Sequence, residues 1–453
     1  CSPRLFGKEN LIMTEPVEFV DAAQEEWVEE VAISDQPTST TVRSEIITVA
    51  LRLGVVMLEA GYDTRAAINA MTGCARALGM ADLSVTAVGR TMMASHVSER
   101  GVPIAMTRAA ATIDSFDLYR MGRLHQVLNE MLREDVDVKR ASNLMDQLER
   151  EPSPWPWWIV VLGGMMLAAS ITLQTGGSLI AAALASGCLL LVNRFGALLE
   201  HIDLPKAFSV SGQAALTVLL GVLLSVCGVA TISSSATIIA TGLVLLLPIP
   251  QIVQAAQDAI NTYYVTAAAR LTAVLVIVSM TTLGGALALS QIGGVHTAGA
   301  SSTARPGSLE LWLVIVACMV GALGNALFMR GGPRLLLPAA GVGALTGIIN
   351  AVLQRHASLD PTLAVGIAAL ALGVVSGLSS GYLRIPSSEL CIVGIAGALL
   401  PGLDVYWIII SELFRFPGVG EAFLRALVAV LIIGPSVVLG MWLVGRIQSN
   451  GKE

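Results

Sequence analysis

The last two-thirds of the chain has very little charge. Of the 60 Asp, Glu, Lys and Arg residues, 38 lie in the first 156 positions, and the other 297 positions carry only 22. Soluble domains carry about 25% charged residues, whereas this chain carries 13% and has a mean hydropathy of +0.73. This shortage of charge excludes a soluble enzyme with a single membrane anchor. It indicates a membrane protein with many spans and a soluble N-terminal part.

Cysteine and the common motifs of enzymes are also scarce. The six cysteines show neither CxxC pairs nor the spacing of zinc ligands, which argues against a metal site or a disulfide framework. We find no GxxxxGK[ST], GxSxG or HExxH motif, so we expect no cofactor, no ATP-driven transport and no catalytic residues. The acidic balance of the first 156 residues (23 acidic against 15 basic) argues against a nucleic-acid partner.

The charged N-terminal part divides into a tail and a folded domain. Residues 1–39 are acidic, lack periodicity and are predicted to form a disordered tail, in which we interpret residues 1–12 as an upstream remnant. Residues 40–151 are predicted to form a small cytoplasmic α+β domain. Its helices and β segments are expected at about 42–59, 64–78, 83–88, 91–96, 104–109, 117–133 and 138–150.

Ten apolar segments follow, each near the length that crosses a bilayer. We place them at about 157–174, 178–193, 210–230, 236–254, 271–291, 309–328, 335–353, 362–381, 390–411 and 422–445. The polar loop 293–308 divides them into two halves, 157–291 and 309–445. With five spans in each half, the second half would cross the membrane in the opposite orientation to the first. The predicted fold class is therefore a polytopic α-helical membrane protein, about ten transmembrane helices as two five-helix halves in an inverted repeat. Basic residues in the loops predict that both termini are cytoplasmic.

Helix breakers lie at corresponding places in the two halves. Pro248 interrupts the fourth segment and Pro401-Gly402 interrupts the ninth, and proline removes a backbone donor where it stands in a helix. Polar side chains follow both breakers, although charge inside a membrane is costly. The sequence therefore predicts a substrate and proton pathway formed by Pro248, Gln254, Asp258, Asn261, Arg270, Pro401, Gly402 and Asp404.

Simpler interpretations of these residues stay open. The prolines can be plain kinks, which membrane helices tolerate. Asp258 and Arg270 can form a structural pair that holds a cytoplasmic turn instead of a gate or substrate contact. Asp404 lies in water if the ninth segment ends near Leu400.

These motifs resemble the threonine/serine exporter family of bacterial inner membranes. The resemblance covers about residues 42–445 and is carried by Leu53–Gly61, by Leu246-Leu-Pro248 with Asp258 and Ala269-Arg270, by Arg384-Ile-Pro386 and by Leu400–Leu403. The chain departs from the family pattern at Ile249, where the family has Gly after Pro, and at Thr272, where many relatives carry Glu.

The resemblance implies a ten-span, multi-pass exporter of L-threonine and L-serine in the bacterial cytoplasmic membrane, driven by the proton motive force. Its expected partners are the lipid bilayer and the small-molecule substrate, and a homo-oligomer stays open. Alternatives are an exporter of C4-dicarboxylates such as succinate, or a membrane-tethered sensor or hydrolase that uses the N-terminal domain.

Overall fold

The first part of the chain folds as four helices and a small sheet. The computed structural model describes residues 39–97, 103–113, 115–133, 136–292, 310–357, 359–400, 402, 404–405, 407–408 and 419–450. The predicted order of helices and strands is confirmed, and the predicted tail up to residue 38 lies outside the described residues. The elements are α1 (Ser39–Ala60), α2 (Thr64–Ala77), β1 (Ser84–Val88), β2 (Thr91–Val97), β3 (Pro103–Ala109), α3 (Leu118–Arg133) and α4 (Val138–Arg150).

The three strands form one antiparallel sheet in the order β1-β2-β3. Successive side chains of a strand point to opposite faces, and in β2 the alternating residues Met92, Ala94 and His96 are buried. Ala94 pairs with Met106 of β3. A side chain at Gly54 of α1 would meet the Met92 side chain. One face of the sheet therefore packs on α1.

The loop between α1 and α2 is a tight turn. Gly61 has a φ of +104°, which a residue with a side chain rarely adopts, and the ring of Phe116 occupies the space that a side chain there would need. Asp63 caps α2, because its carboxylate accepts a hydrogen bond of 3.1 Å from the Ala66 N–H. Tyr62, between them, is buried. This turn lies against the membrane helices, as described below.

The rest of the described chain is helical. Eight of its helices are long and apolar enough to cross a membrane, and the count is nine if one bent pair is a single span. Of the ten predicted spans, the ninth in chain order corresponds to the short helix α14, which is not among these eight or nine. The helices are α5 (Trp157–Gln174), α6 (Leu179–His201), α7 (Lys206–Val226), α8 (Ile232–Leu245), α9 (Ile249–Ile260), α10 (Tyr264–Ile292), α11 (Leu311–Phe328), α12 (Pro333–Arg355), α13 (Pro361–Leu383), α14 (Ser387–Ala398) and α15 (Val419–Asn450).

Helix α6 is longer than the sequence predicted. The second apolar segment was expected at about 178–193, with Arg194 in the loop that follows it. The structure continues the helix to His201, and the guanidinium of Arg194 lies 4.8 Å from the centre of the Trp157 ring. A cation over an aromatic face is stabilised, so the arginine does not end the helix.

Two helices are interrupted where the sequence predicted breakers. The pair α8 and α9 bends by 41° at a break that includes Pro248. Helix α14 ends at Ala398, and the backbone is helical again at Gly402, Asp404 and Val405. The ninth predicted span, at about 390–411 with its breaker at Pro401-Gly402, is thus helical on both sides of the break, and the twelve residues of α14 extend about 18 Å. Pro401 lies outside the described residues.

The helices of the two halves have matching neighbours. In the first half α5 packs on α6, α6 packs on α7 and α8, and α7 packs on α8 and α10. In the second half α11 packs on α12, α12 packs on α13 and α14, and α13 packs on α14 and α15. The first helices of the halves, α5 and α11, pack closely on each other.

Candidate functional site

Asp258 and Arg270 form a completely buried ion pair. The Nε atom of Arg270, on α10, lies 2.9 Å from Oδ2 of Asp258, on α9, and both side chains have 0% exposure. Two opposite charges removed from water stay together only when further hydrogen bonds complete their shells. The surroundings of this pair therefore show what it does in the fold.

The N-terminal part with α1 to α4 and the sheet (Ser39–Arg150), called the soluble part below, supplies those hydrogen bonds. The Thr64 N–H donates to Oδ1 of Asp258 at 2.8 Å. The guanidinium of Arg270 donates to the carbonyl of Tyr62 at 3.1 Å and to the carbonyl of Ile113 at 3.4 Å. The pair thus ties the turn between α1 and α2 to the helices α9 and α10.

A second contact extends this interface. The guanidinium of Arg65 donates to Oδ1 of Asn261 at 2.9 Å. Burial raises the pKa of the neighbouring Asp63 carboxyl, and the charge of Asp258 adds to the rise, whereas the Ala66 N–H and Arg270 oppose it. Three of the predicted site residues, Asp258, Asn261 and Arg270, are therefore brought together, and they meet the soluble part.

Sequence reasoning missed the partners of this pair. Tyr62, Thr64 and Arg65 lie about 200 positions before Asp258 and Arg270, and two of the bonds use backbone atoms. No periodicity or motif reports such contacts. The one local signal was the Gly61 stop followed by the Asp63 cap, which marked an ordered turn without indicating its partner.

The first helix break carries buried amides. Pro248 precedes the first residue of α9 and is buried. One and a half turns later, the side chains of Gln254 and Gln257 are 1% and 6% exposed. The Oε1 atoms of both accept no hydrogen bond from the described residues. Buried polar atoms are usually paired, so these two carbonyl oxygens are free to receive a donor.

The second break is covered by polar side chains of other helices. The last carbonyls of a helix have no partner within it. In α14, the carbonyl of Gly397 accepts a hydrogen bond of 2.8 Å from the amide of Gln174, and the carbonyl of Ala398 accepts one of 3.3 Å from the amide of Asn350. Gln174 also donates to Ser170. Gln174 and Asn350 were not among the predicted site residues, although each is an amide within an apolar segment.

Glycine 402 and Asp404 follow this break. Gly402 packs against α5, since a side chain there would meet Thr175. Asp404 lies 3.6 Å from Arg425 of α15, and the two side chains are 24% and 44% exposed. Arg425 also pairs with Glu421 at 2.8 Å. Asp404 therefore belongs to a partly exposed charge cluster past the end of α14, which is close to the alternative that the ninth segment ends near Leu400.

The two interrupted helices reach across to the opposite halves. Val405 and Trp407, which follow the break after α14, pack on the apolar cluster of α7, α8 and α10 that contains Ala236 and Ile239. In the other direction, α9 packs on α15 through Ile252. Helix α9 therefore contacts the last helix of the second half, and the residues after α14 contact helices of the first half.

A small cavity lies beside the first break. Its volume is about 30 Å³, which is room for one water molecule. Asn193, Thr217 and Thr241 supply its polar lining, and the end of α8 closes it. Thr241 also shares a hydrogen bond of 2.8 Å with Thr172 of α5. Within the described ranges, no group of three His, Cys, Asp or Glu side chains is placed to hold a metal ion.

The chain is similar to known exporters over most of its length. It is 26% identical over 419 residues to a protein of Mycobacterium tuberculosis named "Probable threonine/serine exporter", covering 89% of this chain and 77% of that protein. It is 25% identical over 413 residues to the "Threonine/serine exporter" of Corynebacterium glutamicum, covering 89% and 83%. No solved structure matches the chain.

The family comparison points the same way. The family described as "Putative threonine/serine exporter" matches residues 48–291, just over half of the chain. With eight or nine helices able to cross a membrane, the chain is an integral membrane protein. It belongs to the threonine/serine exporter family.

Proposed function

We propose that the chain exports L-threonine and L-serine across the bacterial cytoplasmic membrane, driven by the proton motive force, with both termini in the cytoplasm. The observation that carries this proposal is that both interrupted helices, α8–α9 and α14, have buried polar groups near their breaks, and that the chain after α14 packs on the cluster that includes α8. Interrupted helices at matching positions are a common way to build a substrate site in secondary transporters. The two relatives carry the same activity in their names.

We further propose that the transmembrane part is an inverted repeat of five helices. The matching neighbours support it, since α7 packs on α10 as α13 packs on α15. The crossed contacts support it as well: α9 packs on the last helix of the second half, and Val405 packs on the apolar cluster that α7, α8 and α10 of the first half form. An axis between α5 and α11 relates the halves in this proposal.

A zwitterionic amino acid needs one partner for each charge. The carbonyls of Gly397 and Ala398 suit an ammonium group once the amides of Gln174 and Asn350 turn away from them. The start of α9 after Pro248 suits a carboxylate, because a helix N-terminus carries partial positive charge. We therefore place the substrate between the two breaks, lined by Pro248, Gln254, Pro401 and Gly402.

The charged residues of the pathway have separate places in this proposal. Asp404, with Arg425 beside it, is at the end of α14 away from the soluble part, where it can receive the ammonium or a proton. Asp258, Asn261 and Arg270 are at the other end, where they close the pathway against the soluble part. All guanidinium nitrogens of Arg270 face Asp258 or backbone carbonyls. This occupancy favours an amino acid over a dicarboxylate, for which Arg270 would be the anion contact.

Flux through proteoliposomes tests the function. We expect labelled threonine and serine to move under an imposed pH gradient and to stop when the gradient is collapsed. Succinate flux alone would move the protein to dicarboxylate export, and no flux of any of the three would favour the sensor or hydrolase alternative. If Asp258→Asn and Asp404→Asn both left export unchanged, the pathway assignment would be wrong.

Two further variants test the second break. We expect Gln174→Ala and Asn350→Ala to lower threonine export by about tenfold or more, because each removes an amide whose oxygen can accept from the ammonium once the side chain has turned. The control is Gln291→Ala, an exposed glutamine at the end of α10, which should leave export unchanged. Equal export rates in all three variants would contradict a substrate site at this break.

A further inference from the structure

Glu389 is a buried carboxyl that forms no ion pair with any basic side chain the structure describes. It lies in the first turn of α14, and its side chain is 3% exposed. Its Oε1 atom accepts no hydrogen bond from the described residues. This residue is on the same interrupted helix as the second break, at its opposite end, and the pathway proposed above does not use it.

The other acidic side chains of the interrupted helices have partners. Asp258 pairs with Arg270 and Asp404 pairs with Arg425. Glu389 forms no ion pair within the described part of the chain, and the charged group close enough to act on it is Asp117, which has the same sign. The phenol of Tyr62 is also close enough to interact electrostatically with the Glu389 carboxyl.

The basic residues on the helices around α14 do not compensate the carboxyl. Those with described side chains are Arg120, Arg123 and His125 on α3, Arg334 and Arg355 on α12, Arg384 after α13, and Arg425 and Arg446 on α15. None of them forms an ion pair with Glu389 within the described residues. The N-terminus of α14 favours a negative charge, but the effect of a helix end is smaller than the cost of burying an unpaired ion. A carboxyl in this position therefore binds a proton.

The soluble part covers this carboxyl directly. A side chain at Gly122 of α3 would lie 3.1 Å from Oε1 of Glu389. The absence of a side chain at Gly122 allows α3 to pack against the carboxyl and to keep water away from it. Ionisation of Glu389 therefore requires α3 to move away from the start of α14.

We propose that Glu389 binds and releases the coupling proton of the exporter, and that the soluble part controls its access to water. In the packed state the carboxyl is neutral. When α3 separates from α14, the O–H bond of Glu389 breaks, its electron pair stays on the carboxylate and the proton passes to water on the side of the soluble part. This inference rests on the proposed proton-driven export, because it names the group that carries the proton.

Infrared spectroscopy tests proton binding without transport. We expect the purified full-length protein at neutral pH to show the carbonyl stretch of a protonated carboxylic acid, and Glu389→Gln to lack that band. Glu200→Gln is the matched control, because Glu200 is an exposed carboxyl on α6; it should leave the band unchanged. A wild-type spectrum without the band, or a band that persists in Glu389→Gln, overturns the proposal.

Transport then tests the coupling. In proteoliposomes, the ratio of gradient-driven threonine export to gradient-free threonine exchange should fall by about tenfold in Glu389→Gln, since carrying a proton is the role assigned to this residue. Glu200→Gln should keep the wild-type ratio, and Glu389→Asp should restore much of it with a changed pH profile. An unchanged ratio in Glu389→Gln, or no rescue by Asp, overturns the proposal.

The same assays separate this inference from the proposed function. Wild-type vesicles that move neither threonine nor serine refute the proposed export, and the infrared band still decides whether Glu389 holds a proton. If Glu389→Gln does not fold, Glu389→Asp decides alone: a wild-type pH profile of export in that variant counts against the proposal.

Discussion

Replacing Arg270 should loosen the contact between the soluble part and the membrane helices. Arg270→Gln leaves the Asp258 carboxylate fully buried without its cation, and breaking a buried pair in this way costs about 3–5 kcal/mol. Asp258 can escape part of that cost by taking a proton. At pH 7, protonating a carboxyl of ordinary pKa costs about 4 kcal/mol. The loss of stability in Arg270→Gln is therefore similar whether Asp258 stays charged or takes a proton.

The two halves of the pair should respond differently to pH. The penalty in Arg270→Gln should shrink as the pH falls, because protonation of Asp258 becomes easier. The loss of stability in Asp258→Asn should not change with pH, because the guanidinium of Arg270 stays protonated at every accessible pH. The double variant Asp258→Asn with Arg270→Gln removes both charges, and we expect it to be more stable than Arg270→Gln alone.

Hydrogen exchange at the turn between α1 and α2 measures this loss locally. The Thr64 N–H is bonded to Asp258, so its exchange reports opening of the contact. A loss of about 3–5 kcal/mol accelerates this exchange by roughly two to four orders of magnitude. Arg425→Gln is the control, because its pair with Glu421 is exposed and such pairs contribute at most about 1 kcal/mol. Equal exchange in Arg270→Gln and Arg425→Gln would refute the reasoning.

Two further predictions concern packing and pH. Gly163→Ala on α5 should lower the free energy of unfolding by about 1–3 kcal/mol, because its methyl group would lie 2.6 Å from Leu327 on α11. Gly187→Ala is the control, since its methyl group meets nothing within 4 Å and the variant should be neutral. Unfolding in detergent compares the two variants. A hydrogen bond from Arg52 holds the pKa of Glu149 below its usual range. The stability of this pair is therefore present above the unfolded pKa of about 4.3 and is lost as the pH falls through the lower folded value. The difference in Tm between the protein and Arg52→Gln should be largest near neutral pH and vanish in acid, and a difference that is constant with pH would contradict this account.

Local signals explain what the sequence could predict. Gly61, Gly79 and Gly89 mark turns, and all three have a positive φ in the structure. Each acts through the conformational freedom of one residue, so its effect is visible without knowledge of the fold. The same holds for the break at Pro248, since proline removes a hydrogen bond wherever it stands in a helix.

Contacts distant in sequence could not be predicted. Gln174 stands 223 positions from Gly397, whose carbonyl its amide covers. In the sequence it is one polar residue at the end of an apolar segment, with nothing to indicate its partner. Asp404 shows the same limit. The sequence left open whether it lies inside the ninth segment or past an end near Leu400, and only the structure places it beside Arg425.

The soluble part contacts both interrupted helices at the ends away from their breaks. It reaches the end of α9 through Thr64 and Asp258, and the start of α14 through Gly122 and Glu389. Each of these helices has twelve residues, about 18 Å, and a helix of this length moves as a rigid rod. A displacement of the soluble part therefore acts on both breaks at once. If the domain only supported folding, Arg270→Gln and Glu389→Gln would change stability and leave the ratio of gradient-driven export to exchange untouched.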